Sequence, residues 1–455
     1  MYKNLKLKLG EMSFFKNFVT DTRGDLYPIL SKSDDCNEYV EANRYGVRAG
    51  SVTRLIGQFF PFATYEMTAM VKNGAAGFCF ILPRAAAEIA VSSGKLHYLC
   101  GERTEELDLP ESVATMIVSC RPGAFDVYFK KNGKAEFFTT FTEESFNNSN
   151  DYAVFSDGKA ALSVCGEAAV SEVSFYIDNG TSIADMRPIR YENGEVMIES
   201  GKIFITASIR MQAGAFQGIF SWIPGTSEFE LTGALFYDCG DGKWCGDVAA
   251  SLLWHREKKI WLLWVCAFSH GHILAHSTFE GDVRFGVNVI DVELMPKATA
   301  NAPIESFLAF AGDEDPDFFY DKESYRWLMA ICRLDPESKK YRYVFFESDS
   351  PFEGYKCIGN GRDGAETGGS FVKVNGEQYF LCGNDFHATS DYRIYGKHGM
   401  SAPNFDYPDG GFRGWGTLIP IKLGSRTRYF WLTFDRHRGS DYNWSYGNLY
   451  CFEAK

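Results

Sequence analysis

The sequence lacks the features that would place the protein in several large functional classes. No Cys-x-x-Cys pair occurs among its 12 cysteines, so the spacing of a zinc ribbon or a dithiol redox site is absent. The longest unbroken apolar run, Ile260–Phe268, is shorter than the roughly 20 residues of a membrane-spanning helix. The 46 lysines and arginines are outnumbered by 59 aspartates and glutamates, giving a formal net charge of -13. Nucleic acid and membrane partners are therefore not expected.

The amino-terminal segment Met1–Gly10 alternates lysine with leucine and holds no continuous apolar stretch of the kind that a secretory signal contains. Most cysteines lie singly in apolar runs, such as Leu263–Cys266 and Ala330–Cys332. Cysteines in such runs are typical of reduced core residues in a cytosol. The sequence therefore predicts a cytoplasmic protein, and it leaves the oligomeric state open.

The composition favours an all-β protein. The chain contains 39 Phe, 24 Tyr, 9 Trp and 44 Gly, a mixture typical of short strands joined by tight turns. Residues 1–178 predict a jelly-roll-like β-sandwich that serves as an accessory domain. A short helix is expected near Pro83–Val91, because Arg84–Glu88 has high helical propensity. Candidate strands of the sandwich are Tyr65–Val71, Gly77–Leu82, Ala114–Cys120, Phe125–Lys130 and Glu172–Ile177.

Residues 179–455 contain five segments that repeat one pattern. Each begins with small or acidic residues, continues into a strand and a turn, and reaches a second, aromatic strand. This order is typical of a propeller blade, so the sequence predicts a five-bladed β-propeller; an open β-sandwich with accidental spacing is the alternative. The starts and second strands are 185–188 with 203–205, 246–248 with 261–264, 314–319 with 327–329, 365–369 with 379–381, and 413–417 with 429–432.

Four of the five predicted blades begin with a carboxylate, at Asp185, Asp247, Asp315 and Glu366. The innermost strands of a propeller converge around its axis, so we expect these side chains to face one pocket. Carboxylates gathered in one pocket raise each other's proton affinity, which leaves one protonated as a general acid while another stays ionised. Cleavage of a glycosidic bond needs such a pair.

Three short motifs resemble those of the five-bladed glycosidases of glycoside hydrolase families 43 and 32. The motifs are Ile183–Asp185, Glu314–Asp321 and Glu366–Phe371. The resemblance implies that Asp185 is the general base or nucleophile, that Glu366 is the general acid, and that Asp315 orients the substrate and tunes the acid. The first motif lacks the Asn-Asp-Pro-Asn-Gly of fructosidases, and Glu314 stands where they carry an arginine, which weakens the case for a fructan substrate.

Further residues are candidates for holding the substrate. Aromatic rings suit the apolar face of a sugar, and polar groups suit its hydroxyls; the candidates are Asp247, Arg187, Trp222, His276, Trp415 and Arg436. His270–His272, together with His276, offers imidazoles to sugar hydroxyls or to a divalent ion. No catalytic metal or required cofactor is predicted. The resemblance leaves room for a structural calcium ion, with His437 as a candidate ligand.

The function that these observations favour is hydrolysis at the end of an oligosaccharide, namely an arabinoside, a xyloside or a related furanoside. The likeness to family 43 indicates inversion at the anomeric carbon. Two alternatives stay open. Stacking rings without a working carboxylate pair would make a glycan-binding lectin. A phosphorylase would place phosphate where the attacking water stands, beside a basic patch such as Arg187, Arg190 and Arg436.

Overall fold

The computed structural model describes residues 2–5, 12–15, 28–41, 44–109, 114–177, 180, 182–212, 214–335, 338–361, 366–384, 392–397, 399–401, 415–424, 426–436 and 446–453. The chain divides into two compact units. The sandwich unit comprises residues 11–178 and 242–244, and the propeller unit comprises residues 1–10, 179–241 and 245–455. Within the described ranges, no helix is both long and apolar enough to cross a membrane.

The described strands of the sandwich unit form one 13-stranded sheet folded around a single core. Its two longest strands, Thr64–Leu82 and Lys159–Ile177, pair antiparallel along most of their length, and each also pairs with shorter strands. The all-β expectation for this region is confirmed. The shorter strands are Met12–Phe15, Ile29–Lys32, Glu38–Glu41, Arg44–Val47, Ser51–Gln58, Ala85–Ser92, Lys95–Cys100, Arg103–Asp108, Thr115–Arg121, Ala124–Lys131 and Lys134–Thr142.

Aromatic rings from strands that are distant in the chain meet in the core of the sandwich unit. The ring of Tyr65 lies 5.0 Å from that of Phe80 and 5.7 Å from that of Phe175, measured between centroids. Tyr98 stacks on Phe141 at 4.4 Å. Ring contacts of this kind add to the stabilisation that burial of apolar area already provides.

The prediction of a helix near Pro83–Val91 is wrong. Ala85–Ser92 is a strand that pairs with a neighbour on each side. Its alternate residues Ala87, Ile89 and Val91 lie in the hydrophobic core, so the burial of one face overrides the local helical preference of alanine. The helical turns among the described residues of this unit are the 3-10 turn Glu144–Phe146 and the short α-helix Tyr152–Phe155.

The propeller unit consists of five sheets in chain order, and the predicted five-bladed β-propeller is confirmed. Each predicted segment supplies the first two main strands of a blade. Blade 1 contains Ser182–Pro188, Ile198–Glu199, Lys202–Met211, Gly214–Trp222, Phe229–Asp238 and Gly286–Asp291. Blade 2 contains Arg190–Tyr191, Val248–His255, Ile260–Ala267, Ile273–Phe279 and Glu293–Leu294, with the 3-10 turn Phe268–His270. Blade 3 contains Glu314–Asp321, Arg326–Leu334, Tyr341–Ser348 and Lys356–Asn360; blade 4 contains Glu366–Val374, Glu377–Asn384, Tyr392–Gly396 and Gly399–Ser401; blade 5 contains Thr417–Leu423, Arg426–Arg436, Tyr446–Glu453 and Tyr2–Leu5.

Three strands connect parts of the propeller unit that are distant in sequence. Tyr2–Leu5 pairs with Tyr446–Glu453, so the first residues of the chain complete the last blade. Gly286–Asp291 lies between two strands of blade 2 in the chain, yet it runs parallel to Phe229–Asp238 of blade 1. Arg190–Tyr191 leaves blade 1 and pairs in parallel with the inner strand of blade 2. Backbone hydrogen bonds therefore link the blades in addition to side-chain packing.

The inner strands of blades 1 to 4 share a bulge close to their start, where the pairing register shifts. One residue in each bulge has a positive φ: Asp185 at 53°, Ala249 at 61°, Asp315 at 48° and Gly368 at 60°. A left-handed backbone costs a residue other than glycine roughly 1–3 kcal/mol, and such residues cluster at functional sites. The bulges identify which positions of the four blades are structurally equivalent.

Candidate active site

A pocket of about 270 Å³ lies where the inner strands begin, and all five blades contribute to its wall. Acidic side chains from blades 1 and 3 line it, together with an imidazole from blade 2, a hydroxyl from blade 4 and an indole that precedes the inner strand of blade 5. The residues that matter for its chemistry are Asp185, His272, Glu314, Asp315, Thr367 and Trp415.

Asp185 occupies the bulge of blade 1, and hydrogen-bond donors hold both of its carboxylate oxygens. Oδ1 accepts from the indole Nε1 of Trp415 at 2.7 Å, and Oδ2 accepts from the hydroxyl of Ser208 at 2.6 Å. The guanidinium of Arg210 lies 3.8 Å from Oδ2. These contacts fix the orientation of the carboxylate in the pocket wall, as a group that removes a proton from water or attacks a carbon requires.

Asp315 occupies the equivalent bulge of blade 3. Its Oδ2 accepts from the hydroxyl of Thr367 at 2.9 Å and from the backbone N–H of Gly368 at 2.8 Å. Arg187 Nη2 lies 3.8 Å from its Oδ1. Burial raises the pKa of Asp315, and the negative charge of Asp185 raises it further. The two aspartates therefore influence each other electrostatically within one pocket.

Glu314 brings a third carboxylate to the pocket. Its Oε2 lies 3.2 Å from Nε2 of His272. The Glu314 side chain is 18% exposed, against 3% for Asp185 and 6% for Asp315. From the sequence, Glu314 stood out only as a departure from the fructosidase motif, although its place beside Asp315 at the blade start was a signal that it could reach the pocket.

Glu366, the predicted general acid, does not line the pocket. It is fully buried, and its carboxylate accepts hydrogen bonds from the backbone N–H of Tyr343 at 2.9 Å, from Arg393 at 3.0 Å and from the hydroxyl of Tyr395. Successive side chains of a strand point to opposite faces, and the next residue, Thr367, lines the pocket instead. Glu366 is thus held within blade 4 by Arg393 and Tyr395, and its contact with the backbone of Tyr343 connects blade 4 to blade 3.

The bulges explain why two of the four predicted carboxylates do not line the pocket. In blades 1 and 3 the left-handed residue is itself an aspartate, but in blades 2 and 4 it is Ala249 and Gly368. Asp247 and Glu366 stand two residues earlier. Asp247 is buried, with its oxygens bonded to the backbone N–H of Ser269 at 2.9 Å and to the Ser269 hydroxyl at 2.7 Å.

Among the predicted substrate-binding residues, Trp415 lies in the pocket wall. It fits there because blade 4 has a glycine at its bulge: a Cβ on Gly368 would lie 1.8 Å from Cδ1 of Trp415. Trp222 does not fit the prediction, since its ring is buried against Phe430 at 5.4 Å and offers no free face to a sugar.

His276 is also outside this pocket. Its imidazole packs against Trp264 and Phe352, with ring centroids 4.8 and 4.7 Å away. It borders a separate groove that includes Asp291 and Glu293. The predicted contact of His276 with a substrate bound at the carboxylates therefore has no support in the geometry.

The predicted basic patch is not exposed where the structure describes it. Arg187 is buried and donates to backbone carbonyls of blades 2 and 4 at 2.9 and 3.1 Å. Arg190 pairs with Asp317, a fully buried carboxylate that no feature of the sequence singled out. Asp317 also accepts from the hydroxyl of Ser251 at 2.6 Å and from the backbone N–H of Phe371 at 2.7 Å. These arginines link blades, which leaves them poor candidates for holding phosphate.

Two predictions fall outside what the structure describes. Arg436 ends the second strand of blade 5, but its side chain lies outside the described residues. His437, the candidate calcium ligand, lies outside them altogether. The roles of both residues stay predictions.

Glu314, Asp315 and Cys332 offer ligand atoms within 4.8 Å of one another. Calcium prefers oxygen ligands, yet one of the three groups is a thiol. Burial raises the pKa of Cys332, and its Sγ donates to the carbonyl of Glu366 at 3.0 Å. This trio does not fit the calcium ion that the resemblance left room for.

Fold and site together define a five-bladed β-propeller with a carboxylate-lined pocket at the start of its inner strands. No protein-family model matches the chain, and no curated protein is similar to it. The solved structures to which the chain is similar include glycoside hydrolases.

Three of these structures illustrate the likeness. An exo-β-1,3-galactanase from Clostridium thermocellum is 10% identical over 59% of each chain, with a TM-score of 0.40. A β-1,3-galactosidase of glycoside hydrolase family 43, solved with galactodeoxynojirimycin, is 10% identical over 59% of this chain and 94% of its own, with a TM-score of 0.40. Bacillus subtilis levansucrase is 10% identical over 60% of this chain and 84% of its own, with a TM-score of 0.39. The five-bladed fold itself rests on the described strands, and likeness at this level carries no argument about the reaction or its substrate.

Proposed function

We propose that the protein is a glycoside hydrolase whose carboxylates act in the propeller pocket. The observation that carries the proposal is that Asp185 and Asp315, from blades 1 and 3, line one pocket together with Glu314. Carboxylates held in different environments within one pocket are what acid and base cleavage of a glycosidic bond requires. Trp415 adds an aromatic wall suited to the apolar face of a sugar.

Asp185 acts as the general base that activates water. Its hydrogen bonds from Trp415 and Ser208 hold the carboxylate in one orientation, and a base must be within hydrogen-bond reach of the water that it deprotonates. Asp315 acts as a positioning residue. It is fixed by Thr367 and by a backbone N–H, and burial and the charge of Asp185 raise its pKa.

Glu314 acts as the general acid, the role that the resemblance gave to Glu366. A general acid must reach the glycosidic oxygen that it protonates. Glu314 lines the pocket and is more open to solvent than the two aspartates. Glu366 is fully buried and paired with Arg393, so proton delivery from it would require a buried ion pair to break.

The roles are tested on a panel of nitrophenyl arabinoside, xyloside, galactoside and fructoside-type substrates. Asp185→Asn should lower kcat by about 10²–10⁴-fold on every substrate that the protein cleaves, since base catalysis contributes that much. Glu314→Gln should cause a similar loss with nitrophenyl glycosides but spare dinitrophenyl glycosides, because their leaving group departs without being protonated.

Two further variants separate the possible acids. Glu366→Gln should lower the stability, because Arg393 loses its charged partner, while kcat of the folded enzyme changes less than about tenfold on either leaving group. Glu257→Gln, in an exposed turn of blade 2, is the matched control and should change neither quantity. If the loss confined to poor leaving groups appears in Glu366→Gln and not in Glu314→Gln, the role proposed for Glu314 is excluded.

The proposed substrate is the end of an oligosaccharide, namely an arabinoside, a xyloside or a related furanoside, cleaved with inversion. A pocket of about 270 Å³ is near the lower limit of about 300 Å³ for ligand sites, which suits a chain end better than the interior of a polymer. NMR of the first product should show the anomer opposite to that of the substrate. Retention of configuration, or release of internal oligomers, would contradict this part of the proposal.

A glycan-binding lectin is the second candidate, and one observation favours it. Blade 4 presents Thr367 to the pocket while Glu366 is withdrawn into an ion pair. A pocket that binds sugar without an acid of matched strength would not turn it over. If calorimetry detects oligosaccharide binding while no glycoside of the panel is hydrolysed, the lectin replaces the hydrolase.

A further inference from the structure

A second cluster of polar side chains lies apart from the residues that line the candidate pocket. Cys239 directly follows the strand Phe229–Asp238 of blade 1, Asp247 directly precedes the inner strand of blade 2, and His270 ends a 3-10 turn of blade 2. Each residue offers one ligand atom, and the three atoms lie within 4.8 Å of one another. Three separate segments of the propeller unit therefore bring a sulfur, an oxygen and a nitrogen together.

The hydrogen bonds of Ser269 prepare the imidazole of His270 to bind a metal ion. The Ser269 hydroxyl donates to Oδ2 of Asp247 at 2.7 Å, and its oxygen lies 2.8 Å from Nδ1 of His270. Since the hydroxyl proton is directed to Asp247, the serine oxygen accepts a hydrogen bond from Nδ1–H. This arrangement leaves Nε2, which lies 3.4 Å from Oδ2 of Asp241, as the ring nitrogen available to a metal ion, and partners beyond the ligands orient metal-binding histidines in this way.

The cluster also has negative charge in need of a counter-charge. Asp247 is only 2% exposed, and His270 is a basic group that acts electrostatically on its carboxylate. Tyr237 is fully buried, and its hydroxyl has no hydrogen-bond partner in the described part of the chain. A buried carboxylate, together with an unsatisfied buried hydroxyl two residues before Cys239, indicates a polar site that the described protein groups leave incomplete.

We propose that Cys239, Asp247 and His270 form a zinc site that fixes the end of blade 1 to the start of blade 2. A thiolate, a carboxylate and an imidazole together form a ligand set that zinc takes in proteins, usually with tetrahedral geometry. Asp241, whose Oδ2 lies 3.4 Å from Nε2 of His270, or a water completes the fourth position. Zinc deprotonates a coordinating thiol, which overcomes the burial and the neighbouring carboxylates that raise the pKa of Cys239 to about 12.

In sequence, two of the proposed zinc ligands lie close to residues that line the candidate active site. Ala249 and His272, which line the pocket, each stand two residues after a proposed ligand. A bound zinc ion would therefore restrain two segments of the pocket wall. Its presence is measured without reference to activity, so the test does not depend on the proposed hydrolase.

The test is a cobalt titration of the full chain after removal of metal with a chelator. One equivalent of Co²⁺ should produce a thiolate-to-cobalt charge-transfer band in the near ultraviolet, and Zn²⁺ should displace it. Cys239→Ser should abolish this band, and His270→Gln should weaken binding by about 10–100-fold or more, since even outer-shell changes cost that much. Cys357→Ser, which removes another partly buried thiol outside the cluster, is the matched control and should keep the band.

Stability supplies a second measurement. Zinc should raise the Tm of the wild type and of Cys357→Ser but not that of Cys239→Ser, because a ligand stabilises only a fold that binds it. If Cys239→Ser does not fold, mass spectrometry of wild type alkylated with and without zinc replaces it, and zinc should protect Cys239. The proposal is overturned if the wild type shows no charge-transfer band, if the band persists in Cys239→Ser, or if zinc leaves Cys239 fully reactive.

Discussion

At the scale of single residues, the pocket depends on contacts between groups that are far apart in the chain. Trp415 donates to Asp185 although 230 positions separate them. Asp315 takes its two hydrogen bonds from the blade 4 residues Thr367 and Gly368. Each of these two aspartates is therefore held in part by residues outside its own blade, which local sequence does not identify.

The substitution Asp315→Asn tests the charge state of the pocket through stability. Burial and Asp185 raise the pKa of Asp315, so the folded protein holds this proton more tightly than the unfolded chain does. The stability from this group is full below the ordinary aspartate pKa of about 3.9 and is lost as the pH rises through the raised value. Relative to the wild type, the variant should gain free energy of unfolding from acid to neutral pH. Urea unfolding at a series of pH values measures this.

Asp321→Asn is the control, and the expected pH dependence of its stability relative to the wild type has the opposite sign. Burial raises the pKa of Asp321, but hydrogen bonds from Ser324 outweigh it and leave the pKa below its usual range. This variant should therefore lose stability at neutral pH and recover relative to the wild type as the pH falls. If the free energies of unfolding of the two variants, relative to the wild type, change with pH in the same direction, the folded protein does not disfavour the charged form of Asp315.

At the scale of elements, a buried arginine holds the segment before the inner strand of blade 3. Arg333, fully buried, donates to both carboxylate oxygens of Asp313 at 2.8 and 2.9 Å. It also donates to the carbonyls of Ile304, Ser306 and Leu308. This segment leads directly into Glu314 and Asp315, so the ion pair positions the blade start that carries two of the pocket's carboxylates.

Arg333→Met should therefore lower the free energy of unfolding by about 3–5 kcal/mol, the usual cost of leaving one member of a buried pair without its partner. The double variant Arg333→Met with Asp313→Asn should recover part of this loss, because no unpaired buried charge remains. Chemical unfolding of the single and double variants measures the coupling. If the two substitutions simply add, the pair is not a unit and the described role of Arg333 is refuted.

The bulges are the other element-scale feature, and they limit what a sequence pattern can predict. The repeats were found because apolar strands and turns alternate at regular distances, and these are local properties. A bulge adds a residue to one strand and changes which side chains face the partner or the pocket. Asp247 and Glu366 therefore match Asp185 and Asp315 in the sequence pattern. In the structure, Ala249 and Gly368 occupy the positions equivalent to those two aspartates.

At the scale of the whole chain, the ends of the propeller unit meet in one sheet. The amino-terminal strand Tyr2–Leu5 pairs antiparallel with Tyr446–Glu453 at the end of blade 5. A prediction from sequence groups consecutive residues, so it assigns these first residues to the amino-terminal domain. The structure instead groups residues 1–10 with the propeller unit. The pairing closes the last blade with a strand that local sequence gives no reason to assign to it.

Deletion of residues 1–5 should destabilise the propeller, by about 1 kcal/mol for each backbone hydrogen bond that is lost. Asn4→Pro should reproduce part of this effect, because proline removes a donor and resists pairing within a sheet. Asn4→Ala is the matched control and should behave as the wild type. Calorimetry measures the three variants, and an unchanged melting profile for the deletion would show that this strand does not contribute to blade 5.

The sequence by itself determined the all-β class, the five blades and the blade starts that carry Asp185 and Asp315, because strand periodicity and turn composition are local. The tertiary structure decided that Ala85–Ser92 is a strand, since its neighbours in the sheet bury one of its faces. It also decided which carboxylates line the pocket. Glu314 does and Glu366 does not, because bulges and contacts between blades, rather than spacing along the chain, set the direction of each side chain.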